Sequence, residues 1–165
     1  MTGRGGSDSL YARGGHDTLD GGKGNDTIDG GTGNDTYLFG KGDGQDTLVA
    51  VLSPGGIGST VDTLQFKAGI AGSDLQFSAV DRSLLIKIAG TSDQITVNSF
   101  ISQESPTQFS PLQQIRFADG VTWDVKKIQA ELLADTTLAP VSAAWIDVGT
   151  HQPDVALIGE IPAML

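Results

Sequence analysis

The sequence is 165 residues long and contains no cysteine. Disulfide bonds, thiolate metal sites and cysteine nucleophiles are therefore excluded. Long apolar runs are also missing, so we expect no transmembrane segment, and the first residues lack the apolar stretch of an export signal peptide. Lys and Arg number only 10 against 20 Asp and Glu, for a formal net charge of −10. A chain this acidic has no basic surface for nucleic acid, and no nucleic-acid partner is expected.

Glutamate is scarce as well, because the acidic residues are 17 Asp and only 3 Glu. Glycine is abundant, with 23 residues, of which 14 precede residue 45. Glu would be the better helix former, whereas Asp and Gly together are typical of turns. The beginning of the chain is therefore predicted to be a series of turns and short strands rather than helices.

A nine-residue repeat organises this Asp-rich and Gly-rich segment. Four Asp residues stand nine apart, and an apolar side chain follows each by two positions: Asp8, Asp17, Asp26 and Asp35, followed by Leu10, Leu19, Ile28 and Tyr37. Residues 21–29 and 30–38 are clean copies of G-G-x-G-x-D-x-U-x, a pattern typical of calcium-binding solenoid repeats. In the two earlier copies, Arg4 and Arg13 replace the second glycine.

The physical chemistry of the repeat predicts where a cation binds. Each unit supplies a turn and a short strand whose apolar residue points inward. Two units make one coil, so Asp8 stacks with Asp26 and Asp17 stacks with Asp35. Stacked strands lie about 4.8 Å apart, roughly twice a calcium–oxygen distance of about 2.4 Å. We therefore predict Ca²⁺ between stacked turns, held by paired Asp carboxylates and by backbone carbonyls near four glycines: Gly22, Gly24, Gly31 and Gly33.

Other acidic residues lie beside this register. The spacing breaks after the fourth repeat, and Asp43 and Asp46 are predicted to close the last sites as further metal ligands. Asp20 and Asp29 occupy the ninth position, where we expect an outward, solvated carboxylate. Without a cation the stacked charges repel, and one apolar side chain per repeat makes a thin core. We therefore expect residues 1–48 to be disordered until calcium binds.

These nonapeptides resemble the end of an RTX (repeats-in-toxin) β-roll, as found in secreted bacterial toxins, proteases, lipases and adhesins. A second segment, from about Thr60 to Phe100, resembles the haemolysin-type calcium-binding-related region that follows such rolls. The motifs that carry this likeness are Asp62–Phe66, Ala68–Ile70, Ser73–Leu75, Leu84–Ile88 and Asp93–Val97. The resemblance implies an all-β fold, in which a right-handed parallel β-roll stapled by calcium is followed by an antiparallel β cap with one short helix. It also implies Ca²⁺ as the cofactor.

Short segments rich in β-branched and apolar residues indicate the cap. Strands are predicted at 62–66, 75–79, 84–88, 94–97, 112–117 and 121–123. A helix is predicted over 125–133, with Asp124 as its N-cap. The predicted division of the chain is a calcium-binding β-roll over 1–48, a linker over 49–61, a β-rich cap over 62–134 and a tail over 135–165.

The tail has four acidic residues, three prolines and no Lys or Arg. By resemblance, RTX proteins leave the cell through type I (ABC) secretion machinery that reads an uncleaved C-terminal signal, and this tail stands where that signal would be. The alternative is an extension that packs Trp145 and Ile146 on the cap. The two interpretations are compatible, and both stay open.

We weigh three functions from the sequence. The preferred one is a calcium-binding C-terminal module of a larger secreted, extracellular bacterial RTX protein, which folds on extracellular calcium and supports secretion and folding of the domains upstream. The alternative is an adhesin or toxin module that contacts a cell surface or glycan, or the non-catalytic C-terminal part of a secreted protease or lipase. An enzyme is not expected, because neither G-x-S-x-G nor H-E-x-x-H occurs, and no catalytic residue is predicted.

Overall fold

The computed structural model describes residues 1–49, 61–100 and 112–134, and within these ranges the chain forms eleven strands and one α-helix. The elements are β1 (Ser9–Tyr11), β2 (Thr18–Asp20), β3 (Thr27–Asp29), β4 (Thr36–Phe39), β5 (Gln45–Leu48), β6 (Thr63–Phe66), β7 (Leu75–Val80), β8 (Ser83–Ile88), β9 (Gln94–Val97), β10 (Gln114–Arg116), β11 (Thr122–Asp124) and α1 (Val125–Ala134). One turn of 3₁₀ helix, Gly72–Asp74, precedes β7. The predictions for the tail, and for all but the ends of the linker, lie outside the described residues. The division into domains stays a prediction.

The first five strands form the predicted roll, with two repeats in each coil. Ser9 pairs in parallel with Thr27, and Thr18 pairs in parallel with Thr36, so each partner lies 18 residues downstream. One wall of the roll is β1–β3–β5 and the other is β2–β4. The inward side chains are buried as predicted: Leu10, Leu19, Ile28 and Tyr37. The roll therefore has a narrow core between two parallel sheets.

The downstream strands continue both walls of the roll. Strands β6 and β10 extend the β2–β4 sheet in parallel, and β9 extends the other sheet in parallel. Strands β7, β8 and β11 are then added antiparallel. The all-β roll with one short helix is confirmed, but its cap is mixed rather than purely antiparallel. The first cap strand is parallel because it continues the register of the repeats. Thr63 pairs with Thr36 and Leu64 with Tyr37, as one repeat pairs with the next.

Aromatic side chains widen the core where the roll meets the cap. The Phe66 and Phe117 rings stack with centroids 5.6 Å apart, and Trp123 meets Phe117 edge to face at 5.1 Å. Phe39, from the last repeat strand, packs against Phe66 at 6.3 Å. Such pairs add about 0.5–1.5 kcal/mol each beyond the area they bury. The two parts of the chain thus share one core as well as two sheets.

Local signals in the cap behave as the sequence predicts. Asp119 and Gly120 form the turn between β10 and β11, where Gly120 has a φ of +91° and Asp119 Oδ1 accepts the N–H of Val121 at 2.9 Å. Asp124 Oδ1 accepts the N–H of Lys127 at 2.8 Å, so Asp124 caps α1 as expected. No helix within the described ranges is long and apolar enough to cross a membrane.

Candidate calcium centre

The turns of the clean repeats bring backbone against backbone. Gly31 and Gly33 have φ values of +83° and +125°, and Gly22 and Gly24 have +91° and +140°. A Cβ on any of the four would lie under 3.0 Å from a carbonyl oxygen of the preceding coil. Glycine is therefore required both for its left-handed conformation and for this close approach. Backbone carbonyl oxygens therefore line the turns beside the same four glycines near which carbonyl ligands are predicted.

The first predicted column of carboxylates is present and includes Asp46. The backbone N–H of Asp8 donates to Asp26 Oδ1 at 2.7 Å, and the N–H of Asp26 donates to Asp46 Oδ1 at 3.0 Å. Pairing of β3 with β5 places Asp46 directly below Asp26, because Thr27 faces Thr47. Three acidic side chains thus follow one another down one side of the roll.

The second column begins with Asp17 and Asp35 on the opposite side. The N–H of Asp17 donates to Asp35 Oδ1 at 2.9 Å, in the pattern of the first column. The N–H of Asp35 then donates to Asp62 Oδ1, also at 2.9 Å. Asp62 comes from the turn before β6, outside the nonapeptides.

The second carboxylate oxygen of several column residues is buried and has no partner. Among the described residues, no hydrogen bond is made by Oδ2 of Asp8, Asp26, Asp35 and Asp46. A buried charged oxygen without a partner costs more than the roughly 1–3 kcal/mol of a neutral one. A Cβ on Gly21 or Gly30 would lie under 3.0 Å from Oδ2 of the Asp in its own repeat. These enclosed, unpaired oxygens fit a bound hard cation.

The donor set is oxygen alone, which suits Ca²⁺. Across residues 1–49, 61–100 and 112–134, no three His, Cys, Asp or Glu side chains form a compact metal cluster. A cation in these turns would instead be held by two stacked carboxylates and by turn carbonyls, as the repeat predicts. The individual ligand assignments stay predictions. The structure does bring five of the predicted ligands into the two columns: Asp8, Asp17, Asp26, Asp35 and Asp46.

Electrostatics also indicate that the columns are built for a counter-charge. Burial raises the pKa of Asp46 from 3.8 to about 7; the hydrogen bond from Asp26 N–H lowers it in part, and the charge of Asp26 raises it again. Burial likewise raises the pKa of Asp62 to about 6, with a further increase from the charge of Asp35. The pKa of Asp35 is raised by the same main cause. A cation would replace the proton that these oxygens otherwise favour.

Asp43 lies apart from both columns. Its Oδ2 accepts the N–H of Gly40 at 2.7 Å and the ammonium of Lys67 at 2.8 Å. Lys67 also contacts Asp20 Oδ1 at 2.8 Å, so this lysine joins two acidic residues. The ligand role of Asp43 stays a prediction, but its oxygen already faces a cationic side chain.

The ninth-position carboxylates serve their own turns. Asp20 Oδ1 accepts the N–H of Gly22 at 3.1 Å, and Asp29 Oδ1 accepts the N–H of Gly31 at 2.9 Å. The expectation of a solvated carboxylate is wrong for Asp29, which is only 7% exposed. Its side chain folds back on the following turn because a short Asp reaches the N–H two residues on.

Comparison with known families agrees with this geometry. The family model described as the RTX calcium-binding nonapeptide repeat (4 copies) matches residues 2–37. The model described as the haemolysin-type calcium binding protein related domain matches residues 84–127. The chain therefore contains RTX calcium-binding nonapeptide repeats, followed by a haemolysin-type calcium-binding-related region. Calcium is therefore confirmed as the implied cofactor, and the chain is a Ca²⁺-binding module of a bacterial protein.

A curated relative has a similar segment. The chain is 38% identical to the iron-regulated protein FrpA of Neisseria meningitidis serogroup C over 101 residues. These aligned residues make up 61% of the chain. The chain spans about 9% of the length of that relative. The similarity therefore concerns one part of a much longer protein.

Two acidic residues where the RTX roll meets the cap were not predicted from the sequence. Asp62 opens the triplet Asp62-Thr63-Leu64, which repeats the Asp-Thr-apolar order of Asp35-Thr36-Tyr37 and was the signal available. Asp93 accepts the N–H of Gly42 at 2.8 Å and of Gly44 at 3.0 Å through its two oxygens. No local pattern marks Asp93, because its partners lie about fifty residues earlier in the sequence.

Proposed function

We propose that this chain is the calcium-dependent folding module of a larger secreted bacterial protein. The observation that carries the proposal is the set of buried, unpartnered carboxylate oxygens in the two columns: Oδ2 of Asp8, Asp26, Asp35 and Asp46. Extracellular modules commonly bind calcium at about 10⁻⁴–10⁻³ M. Calcium at the low level inside a cell leaves such sites empty, and calcium outside the cell fills them.

The balance of forces in the roll supports a folding switch. Within residues 1–48, eight Asp stand against four Lys or Arg, and five of those Asp lie in the columns. Each repeat contributes one principal core side chain, such as Leu19 or Ile28. So little apolar burial does not offset both chain entropy and charge repulsion. Calcium binds the folded roll and not the unfolded chain, and this binding supplies the missing free energy of folding.

The cap supplies a template for the roll. A bare solenoid end exposes strand edges and core, and here β6 and β9 pair with the otherwise open edges of β4 and β5. The cap strands bury their own apolar residues, including Leu84, Ile86 and Ile95. We infer that folding of the roll begins at the cap and proceeds towards the N-terminus. The folded roll then supports the domains before it.

Export is proposed to use the type I (ABC) machinery through residues 135–165. The family match supports this, because RTX repeat proteins are typically secreted. Fusion of this tail to a passenger in a strain with the matching transporter should place the passenger in the medium. A passenger retained in the cell, while the full chain is exported, would assign the signal elsewhere.

Calcium titration followed by circular dichroism tests the folding switch. The chain should gain β structure as calcium rises, and Asp26→Asn and Asp35→Asn should need more calcium, because an amide nitrogen replaces a ligand oxygen. Asp81→Asn is the matched control, since Asp81 lies at the exposed tip of the β7–β8 hairpin with a φ of +49° that Asn also tolerates. Magnesium should not substitute, because it holds its water and demands a tighter octahedron. A spectrum that is fully β-rich in excess EGTA would contradict the proposal.

A further inference from the structure

Asp62 stands at the junction of roll and cap, 27 residues after Asp35 rather than 18. We propose that Asp35 and Asp62 form an additional Ca²⁺ site that joins the last repeat to the first cap strand. The inference rests on the proposed function, because it assumes that the repeat columns bind calcium. It adds a ligand, Asp62, that lies beyond the nonapeptides and outside both family matches, which cover residues 2–37 and 84–127.

The contacts of Asp62 reproduce those within the repeats. Asp35 N–H donates to Asp62 Oδ1 at 2.9 Å, and Asp17 N–H donates to Asp35 Oδ1 at the same distance. Thr36 pairs with Thr63, so Asp62 lies one strand below Asp35, about 4.8 Å away along the stack. The spacing that accommodates a cation between repeats is therefore preserved across the junction.

The residue before Asp62 also contacts the turn above it as a repeat residue does. Asn34 Oδ1 accepts the N–H of Val61 at 3.0 Å, just as Asn25 Oδ1 accepts the N–H of Gln45 at 3.0 Å in the other column. The two Asn residues occupy the same repeat position. Val61 and Asp62 thus occupy the places that Gln45 and Asp46 take in the other column.

A second observation points to a ligand at this level. Asp35 is 1% exposed, and its Oδ2 has no hydrogen-bond partner among the described residues. Its Oδ1 is already used by the Asp17 N–H. The remaining oxygen is enclosed beside Gly30, where a Cβ would lie under 3.0 Å from it. A hard cation shared with Asp62 satisfies this oxygen without a new protein donor.

The column of charges ends one level lower. Asp62 N–H donates to Gln113 Oε1 at 2.7 Å, and Thr63 pairs with Gln114, so Gln113 takes the next position in the stack. The hydrogen bond is kept while the carboxylate is replaced by a neutral amide. On the other side, Asp46 pairs with Ile95, so that column ends without a further acidic residue. The two columns are therefore offset, and only the Asp17–Asp35 column crosses into the cap.

The site would couple the cap to the roll. A cation between Asp35 and Asp62 links residues on either side of the segment 49–61, and it neutralises two adjacent carboxylates. Filling this site favours the register in which β6 follows β4. The junction site thus makes docking of the cap depend on calcium.

Calcium stoichiometry of the full chain tests the site. Equilibrium dialysis with Ca²⁺ alone should show one ion fewer for Asp62→Asn than for the unaltered chain, and no loss for Asp81→Asn. An unchanged ion count in folded Asp62→Asn would overturn the inference while leaving the proposed function intact. If the unaltered chain binds no calcium, the proposed function itself fails.

Terbium luminescence gives a second measurement that does not require Asp62→Asn to fold. The Tyr37 hydroxyl lies beside Asp35 Oδ2, since a Cβ on Gly30 would lie under 3.0 Å from both oxygens, so this ring lies close enough to sensitise a bound Tb³⁺. In Asp17→Asn the upper site of the column is lost and the Asp35–Asp62 site remains. Emission that persists in Asp17→Asn and disappears when Tyr37→Phe is added supports the junction site. Loss of the tyrosine-sensitised emission in Asp17→Asn alone would overturn it.

Discussion

Gly31 and Gly42 offer a matched test of how closely the coils are stacked. Their φ values are +83° and +88°, so an alanine at either residue is strained to the same extent. A Cβ on Gly31 would lie under 3.0 Å from the carbonyl oxygen of Arg13, whereas a Cβ on Gly42 meets nothing within 4 Å. The comparison of Gly31→Ala with Gly42→Ala therefore separates the cost of the backbone conformation from the cost of contact between coils.

The magnitudes follow from these two terms. A left-handed conformation costs a residue with a Cβ about 1–2 kcal/mol, and this cost is common to both variants. In Gly31→Ala the Arg13 carbonyl must also retreat, which breaks the 2.9 Å hydrogen bond that it accepts from Thr32 N–H. Loss of that bond removes about 1 kcal/mol, and the displaced turn disturbs the stacked Asp17–Asp35 pair. We expect Gly31→Ala to lose about 2–3 kcal/mol of unfolding free energy and Gly42→Ala about 1–2 kcal/mol.

Urea unfolding in saturating calcium, followed by circular dichroism, measures both losses. The calcium midpoint of folding should rise clearly for Gly31→Ala and only slightly for Gly42→Ala. Equal losses of stability in the two variants would refute the reasoning, because they would mean that contact between the coils does not constrain Gly31.

Three further predictions concern charge and core. Because the pKa of Asp46 rises from 3.8 to about 7 and that of Asp62 to about 6, the folded, metal-free chain binds more protons than the unfolded chain. The β structure that metal-stripped protein retains should therefore decrease as the pH rises from about 4 through 7, and circular dichroism measures this. Lys67→Met should cost about 1 kcal/mol by removing two ion pairs, with a smaller loss at high salt. Leu19→Ala should cost about 2–5 kcal/mol, because the side chain is fully buried.

Each of these predictions has a control or a contrary outcome. Metal-free protein with more β structure near neutral pH than near about pH 5 would contradict the raised pKa values. Lys87→Met is the control for Lys67, since Lys87 is exposed and has no ion pair among the described residues. Tyr11→Ala is the control for Leu19, because Tyr11 is 57% exposed and lies on β1, in the opposite sheet of the roll. A loss at Tyr11 as large as that at Leu19 would mean that the roll core is not where the burial places it.

Much of the candidate site was predictable from local spacing. The nine-residue period places Asp8 over Asp26 and Asp17 over Asp35, because a repeat that forms a turn and a strand returns to the same side every second unit. The glycines were predictable for the same reason, since a tight turn demands left-handed backbone. Strand Gln94–Val97 was predicted with its observed bounds, and the helix to within one residue of its end, from apolar patterning and an N-cap.

The lower end of the roll was not predictable in the same way. Asp43 and Asp46 are three residues apart, and only the pairing of β5 with β3 decides that Asp46 joins the column while Asp43 faces Lys67. The parallel direction of β6 and β9 was also missed, because strand direction depends on the path of the connecting chain rather than on composition.

The sequence by itself determined the period, the two columns of carboxylates, the glycine turns and the identity of the cation. All of these follow from chemistry repeated within nine residues. The tertiary structure alone decided where the columns end and what covers them: Asp62 under Asp35, Gln113 under Asp62, and Asp93 across the turn of Gly42 and Gly44. These contacts join residues 27 to 51 positions apart. Such contacts form only when the sheets bring distant segments into register, and no local pattern encodes that register.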